Sequence, residues 1–121
     1  VKLPFVFWDG KTLPFPNQSF DIVLLSFILH YCHYPEQVLK EAKRVARTRI
    51  IILEDTPENF KEKIILKGVV SWRHWGQKAP SPKWFLSAKE WQGLFEKTGL
   101  KIVSSHQFRS KINHAIFVLR P

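Results

Sequence analysis

Residues 30–34 read His-Tyr-Cys-His-Tyr and form the densest group of chemically active side chains in the sequence. Imidazole titrates near neutral pH, so His30 is the best candidate for a general base, with a core or turn histidine as the alternative. Cys32 lacks the motif of a cysteine nucleophile and fits a small buried hydrophobe. His30, Cys32 and His33 are too crowded for a tetrahedral site and lack a distant fourth ligand, so no metal site is predicted.

A second polar group is the pair Asp9 and Gly10, which follows a short apolar run from Leu3 to Phe7. The run predicts a strand, and Pro14 and Pro16 beyond the pair force the chain into a turn. Asp and Gly are ordinary turn residues, so the pair is either a turn without a ligand or a polar site at the end of a strand.

Two continuous apolar runs indicate the elements that position these groups. Residues 20 to 27 lack alternation and predict a parallel strand covered on both faces, and residues 50 to 53 predict another. Between them Pro35 begins a helix. Its predicted inward residues are Val38, Leu39, Ala42, Val45 and Ala46. Strand, helix and strand form a right-handed βαβ unit, which stops at Glu54 and Asp55, interpreted as an exposed acidic pair.

The second half predicts two helices and a hairpin. Thr56 and Pro57 are expected to start the first helix. Its predicted inward residues are Phe60, Ile64, Ile65, Val69 and Trp72. Residues 71 to 85 lack periodicity and predict a structured loop or lid. A capping box at 87–90 begins the second helix, and Gly99 ends it. Residues 102 to 108 and 114 to 119 are too close in sequence for a crossover and predict an antiparallel hairpin.

Length and composition favour one domain over residues 1–121. The chain has 121 residues, of which 45% are hydrophobic, enough for a single modest core. No apolar stretch reaches the ~20 residues of a membrane span, and the first residues do not resemble a signal peptide. A single cysteine excludes an internal disulfide. A cytoplasmic location is therefore expected.

The net charge is +9, with nineteen Lys and Arg against ten Asp and Glu. Such a balance can mark a nucleic-acid partner. The basic residues are instead spread over predicted helix faces and loops, as in Lys40, Lys43, Arg44 and Arg47 on one helix and Lys61, Lys63 and Lys67 on another. Solvated helix faces explain this pattern better than a polyanion-binding surface, which stays open as the alternative.

The run LPFPNQSFDIVLLSFILHYCHYPEQVLKEAKRVART, residues 13 to 48, resembles the class I S-adenosylmethionine-dependent methyltransferases, in particular the small-molecule "type 11" group. FLSAKEWQGLFEKTGLKIV, residues 85 to 103, resembles the late segment of the same family. The resemblance implies an α/β, Rossmann-like sheet with family strand order 3-2-1-4-5-7-6 and an antiparallel strand 7. The chain would supply strand 3 at 3–7, strand 4 at 20–27, strand 5 at 50–53, strand 6 at 102–108 and strand 7 at 114–119.

The resemblance also implies roles for the polar residues. Asp9 would accept a hydrogen bond from the adenine amino group of S-adenosylmethionine, and Gly10 would donate its backbone N–H to the ring. The methionine end of the cofactor is expected beside Ser26, Phe27 and Ile28. A small-molecule methyl acceptor is expected among Tyr31, His33, Tyr34 and Trp75. Methyl transfer depends largely on positioning, and His30 would act as the base for a hydroxyl or phenol acceptor.

The family's Gly-rich cofactor loop and its strands 1 and 2 have no counterpart in these residues. The chain is therefore expected to be the C-terminal half of a methyltransferase domain, inactive by itself. Strand 20–27 would then have an exposed edge, covered by residues 3–7 moved inward, by a second copy or by the missing N-terminal half. The alternatives are a noncatalytic Rossmann-like interaction module, a basic nucleic-acid-binding domain and a different nucleotide enzyme with the same sheet.

Overall fold

The computed structural model describes residues 2–77 and 82–121. The strands are β1 Phe20–Ser26, β2 Ala46–Asp55, β3 Lys101–Arg109 and β4 Asn113–Arg120. The helices are α1 Pro35–Val45, α2 Phe60–Arg73 and α3 Ala88–Lys97, with a 3-10 turn at Leu29–Tyr31. Part of the predicted loop at 71–85 is wrong, because α2 continues into it, and residues 78–81 lie outside the described ones. In the described ranges, no helix has the length and apolar character needed to cross a bilayer.

One mixed sheet organises the molecule, in the order β1-β2-β4-β3. β1 and β2 are parallel, whereas β4 is antiparallel to both β2 and β3. The predicted βαβ unit and terminal hairpin are therefore confirmed. The order equals the 4-5-7-6 portion of the family order, so the α/β, Rossmann-like fold class is confirmed as well.

The predicted strand at 3–7 is wrong. These residues have no regular secondary structure, and Leu3, Phe5 and Phe7 are each more than 80% exposed. A strand persists only where a neighbouring strand satisfies its backbone, and the order β1-β2-β4-β3 gives residues 3–7 no neighbour. Movement of these residues inward to cover β1 is therefore wrong too. A second copy and an N-terminal half stay predictions for that edge.

The core lies on one face of the sheet, where α1 and α3 pack. It contains Leu25, Val38, Leu39, Ala42, Ile50, Ile52, Trp91, Phe95, Phe117 and Leu119. The ring of Phe95 meets Phe117 edge-on at 5.0 Å between centroids and stacks near Trp91. The inward residues predicted for α1 are all buried, as its periodicity indicated.

The opposite face of the sheet is open along β1. Successive strand residues point to opposite faces, so Leu25 is buried while Leu24 is 60% exposed and Ile22 is 56% exposed. The expectation that this strand is covered on both faces is therefore wrong. Its continuous apolar run predicted that other elements pack on both faces of the strand, but α1 and α3 pack on only one face of the sheet.

Helix α2 differs most from its prediction. Asn59, rather than Thr56, caps it: the Asn59 side chain accepts a hydrogen bond from the Glu62 N–H at 2.9 Å. The five residues predicted to face inward, Phe60, Ile64, Ile65, Val69 and Trp72, are all exposed. Only Leu66 is buried among the α2 residues. Their spacing predicted an apolar face but could not show whether the sheet would meet it.

Helix α3 has the ends that its sequence predicts. The Ser87 hydroxyl accepts from the Glu90 N–H at 3.2 Å, and a Glu90 carboxylate oxygen accepts from the Ser87 N–H at 2.7 Å. At the other end, Gly99 adopts a left-handed conformation with φ of +77°. The capping box and the glycine stop are thus confirmed.

Arg44 holds the proline-rich turn against α1. Its guanidinium donates to the carbonyl oxygens of Leu13 and Phe15 at 3.0 and 2.7 Å, and to the Glu41 carboxylate at 2.8 Å. This contact with Arg44 holds the pKa of the Glu41 carboxyl below its usual value. Placing Arg44 among solvated helix cations was therefore wrong.

Candidate functional site

The carboxyl ends of β1 and β2 meet at one edge of the sheet, and a cavity of about 790 Å³ opens beside that edge. We call it the edge pocket. It is lined by Trp8, Asp9, Gly10, Lys11, Ile28, Tyr31, Cys32, His33, Tyr34 and Val38. The structure therefore brings together six of the predicted site residues, from two segments about twenty residues apart. His30, Ser26, Phe27 and Trp75 are not among the lining residues.

The Asp9-Gly10 turn presents backbone to the edge pocket. An Asp9 carboxylate oxygen accepts a hydrogen bond from the Lys11 N–H at 2.9 Å, which closes a local turn. Gly10 adopts φ of +84°, and a Cβ placed on it would meet no atom of residues 2–77 and 82–121 within 4 Å. A ligand can therefore approach the Gly10 backbone closely, as glycine at a binding turn allows.

Trp8 lines the edge pocket and carries a buried indole N–H without a partner among the described residues. A buried N–H without an acceptor costs about 1–3 kcal/mol, so in native proteins such a group is usually satisfied by water, an ion or a ligand; the buried indole N–H of the core residue Trp91 is unpaired in the same way. Sequence reasoning missed Trp8, because the tryptophan gave only the end of an apolar run.

The loop after β1 is held by a buried carboxylate. Glu54, at the end of β2, is fully buried. One of its oxygens accepts from the Leu29 N–H at 2.8 Å, and the other lies 2.5 Å from His30 Nδ1. An ionised carboxylate only accepts, so the proton of this contact belongs to Nδ1. The prediction that Glu54 is exposed is wrong, because β2 directs it toward the core side of the sheet.

His30 does not line the edge pocket. Its side chain is 10% exposed, and its ring centroid is 4.2 Å from that of Tyr31, which does line the pocket. The His30 carbonyl oxygen accepts from the Lys83 N–H at 2.6 Å. Burial, and next the Asp55 carboxylate, raise the pKa of the Tyr31 phenol. Tyr31 therefore stays protonated and can donate a hydrogen bond into the pocket.

Cys32 is half-buried and lines the edge pocket, so the prediction that it is buried is wrong. Burial raises the pKa of its thiol, with the Glu54 carboxylate adding to the shift. The thiol lies 3.3 Å from the Ile28 carbonyl oxygen, to which it donates. A protonated thiol is a poor nucleophile. Trp84 closes the loop from outside, since its indole N–H donates to the Cys32 carbonyl oxygen at 2.8 Å.

The remaining predicted residues, Ser26, Phe27 and Trp75, lie outside the lining of the edge pocket. Ser26 is exposed at the end of β1, and Phe27 follows with φ of +51°, a strained value for a residue with a side chain. Strain of this kind concentrates at functional sites. The Phe27 ring packs against His114 on the open face of the sheet. Trp75 is 83% exposed just after α2.

Comparison with known proteins agrees with this architecture. Residues 2–52 match the model of a family described as a methyltransferase domain. The crystal structure of a protein from Bacillus halodurans with a provisional methyltransferase assignment superposes with a TM-score of 0.77 at 15% identity. The superposition covers 96% of this chain and 76% of that one. Over residues 2–52 the chain is therefore similar in sequence to methyltransferase domains. The structural likeness by itself shows the shared methyltransferase fold.

Two curated relatives cover parts of this methyltransferase-like chain. The ubiquinone/menaquinone biosynthesis C-methyltransferase UbiE of Burkholderia vietnamiensis is 38% identical over 56 residues, which are 45% of this chain and 23% of UbiE. An uncharacterised protein of Methanocaldococcus jannaschii is 29% identical over 105 residues, 81% of this chain and 46% of that protein. The chain thus spans less than half the length of either relative.

Proposed function

We propose that the protein containing this chain transfers a methyl group from S-adenosylmethionine to a small-molecule acceptor. The chain would be the C-terminal half of the catalytic domain and inactive without the rest. The observation that carries this proposal is the edge pocket, where the Asp9-Gly10 turn meets the loop after β1 beside the buried, unpaired donor of Trp8. In doubly wound sheets, ligands bind at this carboxyl edge.

The polar groups of the pocket fit an adenine ring. The Asp9 carboxylate can accept from an exocyclic amine, and the Gly10 N–H lies on an open backbone that a ring nitrogen can approach. Trp8 lines the same pocket, and an acceptor atom of the ligand would satisfy its indole N–H, which has no partner among the described residues. Ser26, Phe27 and Ile28 would border the methionine end. When bound, the cofactor supplies an electrophilic methyl group, and the residues of this chain bind and orient it.

The acceptor would contact the mainly aromatic side of the pocket. Tyr31, His33 and Tyr34 line it, and the Tyr31 phenol, kept protonated, can donate to an acceptor oxygen. Trp75 would join them from the segment after α2. An apolar, aromatic wall with few polar groups is typical of a small-molecule site. Holding the acceptor atom close and aligned would supply much of the rate.

His30 is the proposed base for a hydroxyl or phenol acceptor. Glu54 keeps the proton on His30 Nδ1, which in the neutral ring leaves Nε2 to receive one. His30 does not line the pocket, and its ring centroid lies 4.2 Å from that of Tyr31, which does, so the proton would reach Nε2 through a bridging water. A nitrogen or carbon acceptor without a proton to lose would need no base.

Calorimetric titration of the full-length protein with S-adenosylhomocysteine tests the pocket. We expect Asp9→Ala and Trp8→Phe each to weaken binding by about 1–3 kcal/mol, because each removes a hydrogen-bonding group from a buried partner. Asp21→Ala is the matched control, since Asp21 is an exposed aspartate of β1 paired with Arg47. Unchanged affinity in both pocket variants would remove the edge pocket from the cofactor site.

The same titration separates the other classes of function. A full-length protein that binds no S-adenosylhomocysteine would point to a noncatalytic module. Several basic residues are already paired with acidic ones, as in Arg47–Asp21, Lys63–Glu90 and Lys97–Glu36. We therefore expect weak binding to DNA or RNA that is lost at physiological salt. Submicromolar affinity at that salt, measured by fluorescence anisotropy, would instead favour a nucleic-acid substrate.

A further inference from the structure

Three side chains on the open face of the sheet form a continuous hydrogen-bonded chain. His114 Nδ1 lies 2.7 Å from an Asp55 carboxylate oxygen, and His114 Nε2 lies 3.0 Å from the Ser110 hydroxyl. The carboxylate only accepts, so Nδ1 carries a proton; in the neutral ring Nε2 then accepts from the serine O–H. A serine, a base and a group that orients the base are thus in contact in that order.

Strand pairing fixes two of the three groups. Asp55 of β2 and His114 of β4 are direct partners across the antiparallel ladder, so their side chains share one face. The Thr56 N–H donates to the Asn113 carbonyl oxygen at 2.8 Å, which joins the two strand ends just beyond that pair. Ser110 lies in the turn between β3 and β4 and is exposed. The base and its orienting carboxylate are therefore on rigid elements, while the serine is accessible.

Two aromatic rings border the same group. Phe108 is the cross-strand partner of His114 and its ring lies 5.2 Å from the imidazole, while Phe27 meets the imidazole edge-on at 6.1 Å. The two phenylalanines are 40% and 38% exposed, so they present apolar surface beside the serine. An acyl or aryl chain can rest there, while the imidazole, with about a fifth of its side chain exposed, stays partly shielded from water.

We propose that Ser110, His114 and Asp55 form a second reactive site, in which Ser110 is a nucleophile toward carboxylic esters with an apolar acyl group. The Ser110 oxygen forms a bond to the ester carbonyl carbon, and the bond from that carbon to the alcohol oxygen breaks. His114 Nε2 takes the serine proton and passes it to the departing alcohol. Water then cleaves the acyl-serine, with its proton moving through His114, which releases the carboxylic acid and restores Ser110.

The three reacting residues of this site are separate from the edge pocket, although Phe27 borders both proposed sites. Asp55 and Glu54 are consecutive in β2 and point to opposite faces of the sheet, and none of the three residues lines the edge pocket. Asp55 acts as a positioning residue: it touches His114 and holds the imidazole in the tautomer that can accept the serine proton. The assignment of Ser110 is therefore independent of whether the edge pocket binds a cofactor.

An alkyl fluorophosphonate tests the proposal, since its phosphorus bonds to an activated serine as fluoride leaves. We expect intact-mass and peptide analysis of the full-length protein to find the label on Ser110, and none on Ser110→Ala. Ser105→Ala, an exposed serine of β3 without a bond to His114, should label like the wild type. His114→Asn and Asp55→Asn should each slow labelling at least about tenfold, and Asp55→Glu should recover part of the rate because it keeps a carboxylate.

A hydrolysis assay and a binding assay complete the test. Wild-type protein should release nitrophenol from p-nitrophenyl butyrate faster than Ser110→Ala, and both should bind S-adenosylhomocysteine equally. A label found only on other residues would overturn the proposal. So would a Ser110 label that forms as fast in His114→Asn as in the wild type, because the histidine would then have no part in the reaction.

Discussion

Consecutive residues at the end of β2 each hold a histidine, and the two pairs have opposite surroundings. Glu54 is fully buried with His30, whose side chain is 10% exposed. Asp55 and His114 are 21% and 19% exposed on the other face. The pairs have the same chemistry, a carboxylate that accepts from Nδ1. The difference lies in burial, which makes one pair part of the packing and leaves the other open to solvent and small molecules.

The contacts beyond each pair extend the contrast. Glu54 also binds the Leu29 N–H, so the inner pair fixes the backbone of the loop that lines the edge pocket. The outer pair leads to the Ser110 hydroxyl, which is exposed. A hydrogen-bonded histidine can therefore brace a loop or activate a neighbour. The role of the histidine depends on which group contacts its second ring nitrogen, Nε2.

Removal of the two carboxylates should have the largest and most unequal effect. We expect Glu54→Ala to lower the free energy of unfolding by about 3–5 kcal/mol, because it leaves buried donors of Leu29 and His30 without an acceptor. Asp55→Ala should cost about 1 kcal/mol, since water can replace the lost contact. Urea denaturation followed by circular dichroism measures both. Glu54→Gln, which keeps an acceptor for Leu29, provides a milder variant if Glu54→Ala does not fold.

Equal losses from Glu54→Ala and Asp55→Ala would contradict the contrast, because burial would then not distinguish the two pairs.

Double-mutant cycles should show a stronger coupling in the buried pair than in the exposed pair, by less than the difference between the two alanine variants. We expect a coupling free energy of about 2 kcal/mol between Glu54→Gln and His30→Asn, and about 0.5 kcal/mol between Asp55→Asn and His114→Asn. Each cycle compares unfolding free energies of the two single variants and the double variant. A larger coupling in the outer pair would reverse our interpretation of the two faces.

The smallest effect on the free energy of unfolding is expected for Ser110, the outermost of the three hydrogen-bonded residues Asp55, His114 and Ser110. Ser110→Ala removes an exposed hydroxyl and should change the free energy of unfolding by no more than about 0.5 kcal/mol. Thermal unfolding of this variant beside wild type is a sufficient measurement. A loss of several kcal/mol would mean that Ser110 is structural, and its exposure would then give a false impression of its role.

Much of the fold could be predicted from local signals. The capping box at Ser87, the proline at the start of α1 and the continuous run of β1 each gave the right element, because their physical causes lie within a few residues. The predictions of a strand at residues 3–7 and of a buried apolar face on α2 were wrong because their causes are not local. An apolar run becomes a strand only beside another strand, and an apolar helix face is buried only where a second surface meets it.

The candidate site was predicted in part. Asp9, Gly10 and the aromatic loop were named through a resemblance, and the structure brings them to one pocket. Two features could not be found in this way. The unpaired donor of Trp8 depends on how the indole packs, and the contact of Asp55 with His114 depends on a strand register between residues 59 positions apart. Neither has a local signature.

The hydrogen bonds of Arg44 to the proline-rich turn limit which residues can replace it. Its planar guanidinium serves carbonyl oxygens of the turn and the carboxylate of Glu41 at once. A lysine would keep the charge but not the fork of donors, so it would satisfy only part of this set. Helix α1 has two other basic residues: Lys43, which donates one hydrogen bond to the Gly99 carbonyl oxygen at 3.1 Å, and the exposed Lys40, which we expect to be exchangeable with little consequence. Substitutions should therefore be tolerated at exposed basic positions near Arg44 but not at Arg44 itself. The charge pattern of the sequence does not distinguish this arginine from its basic neighbours.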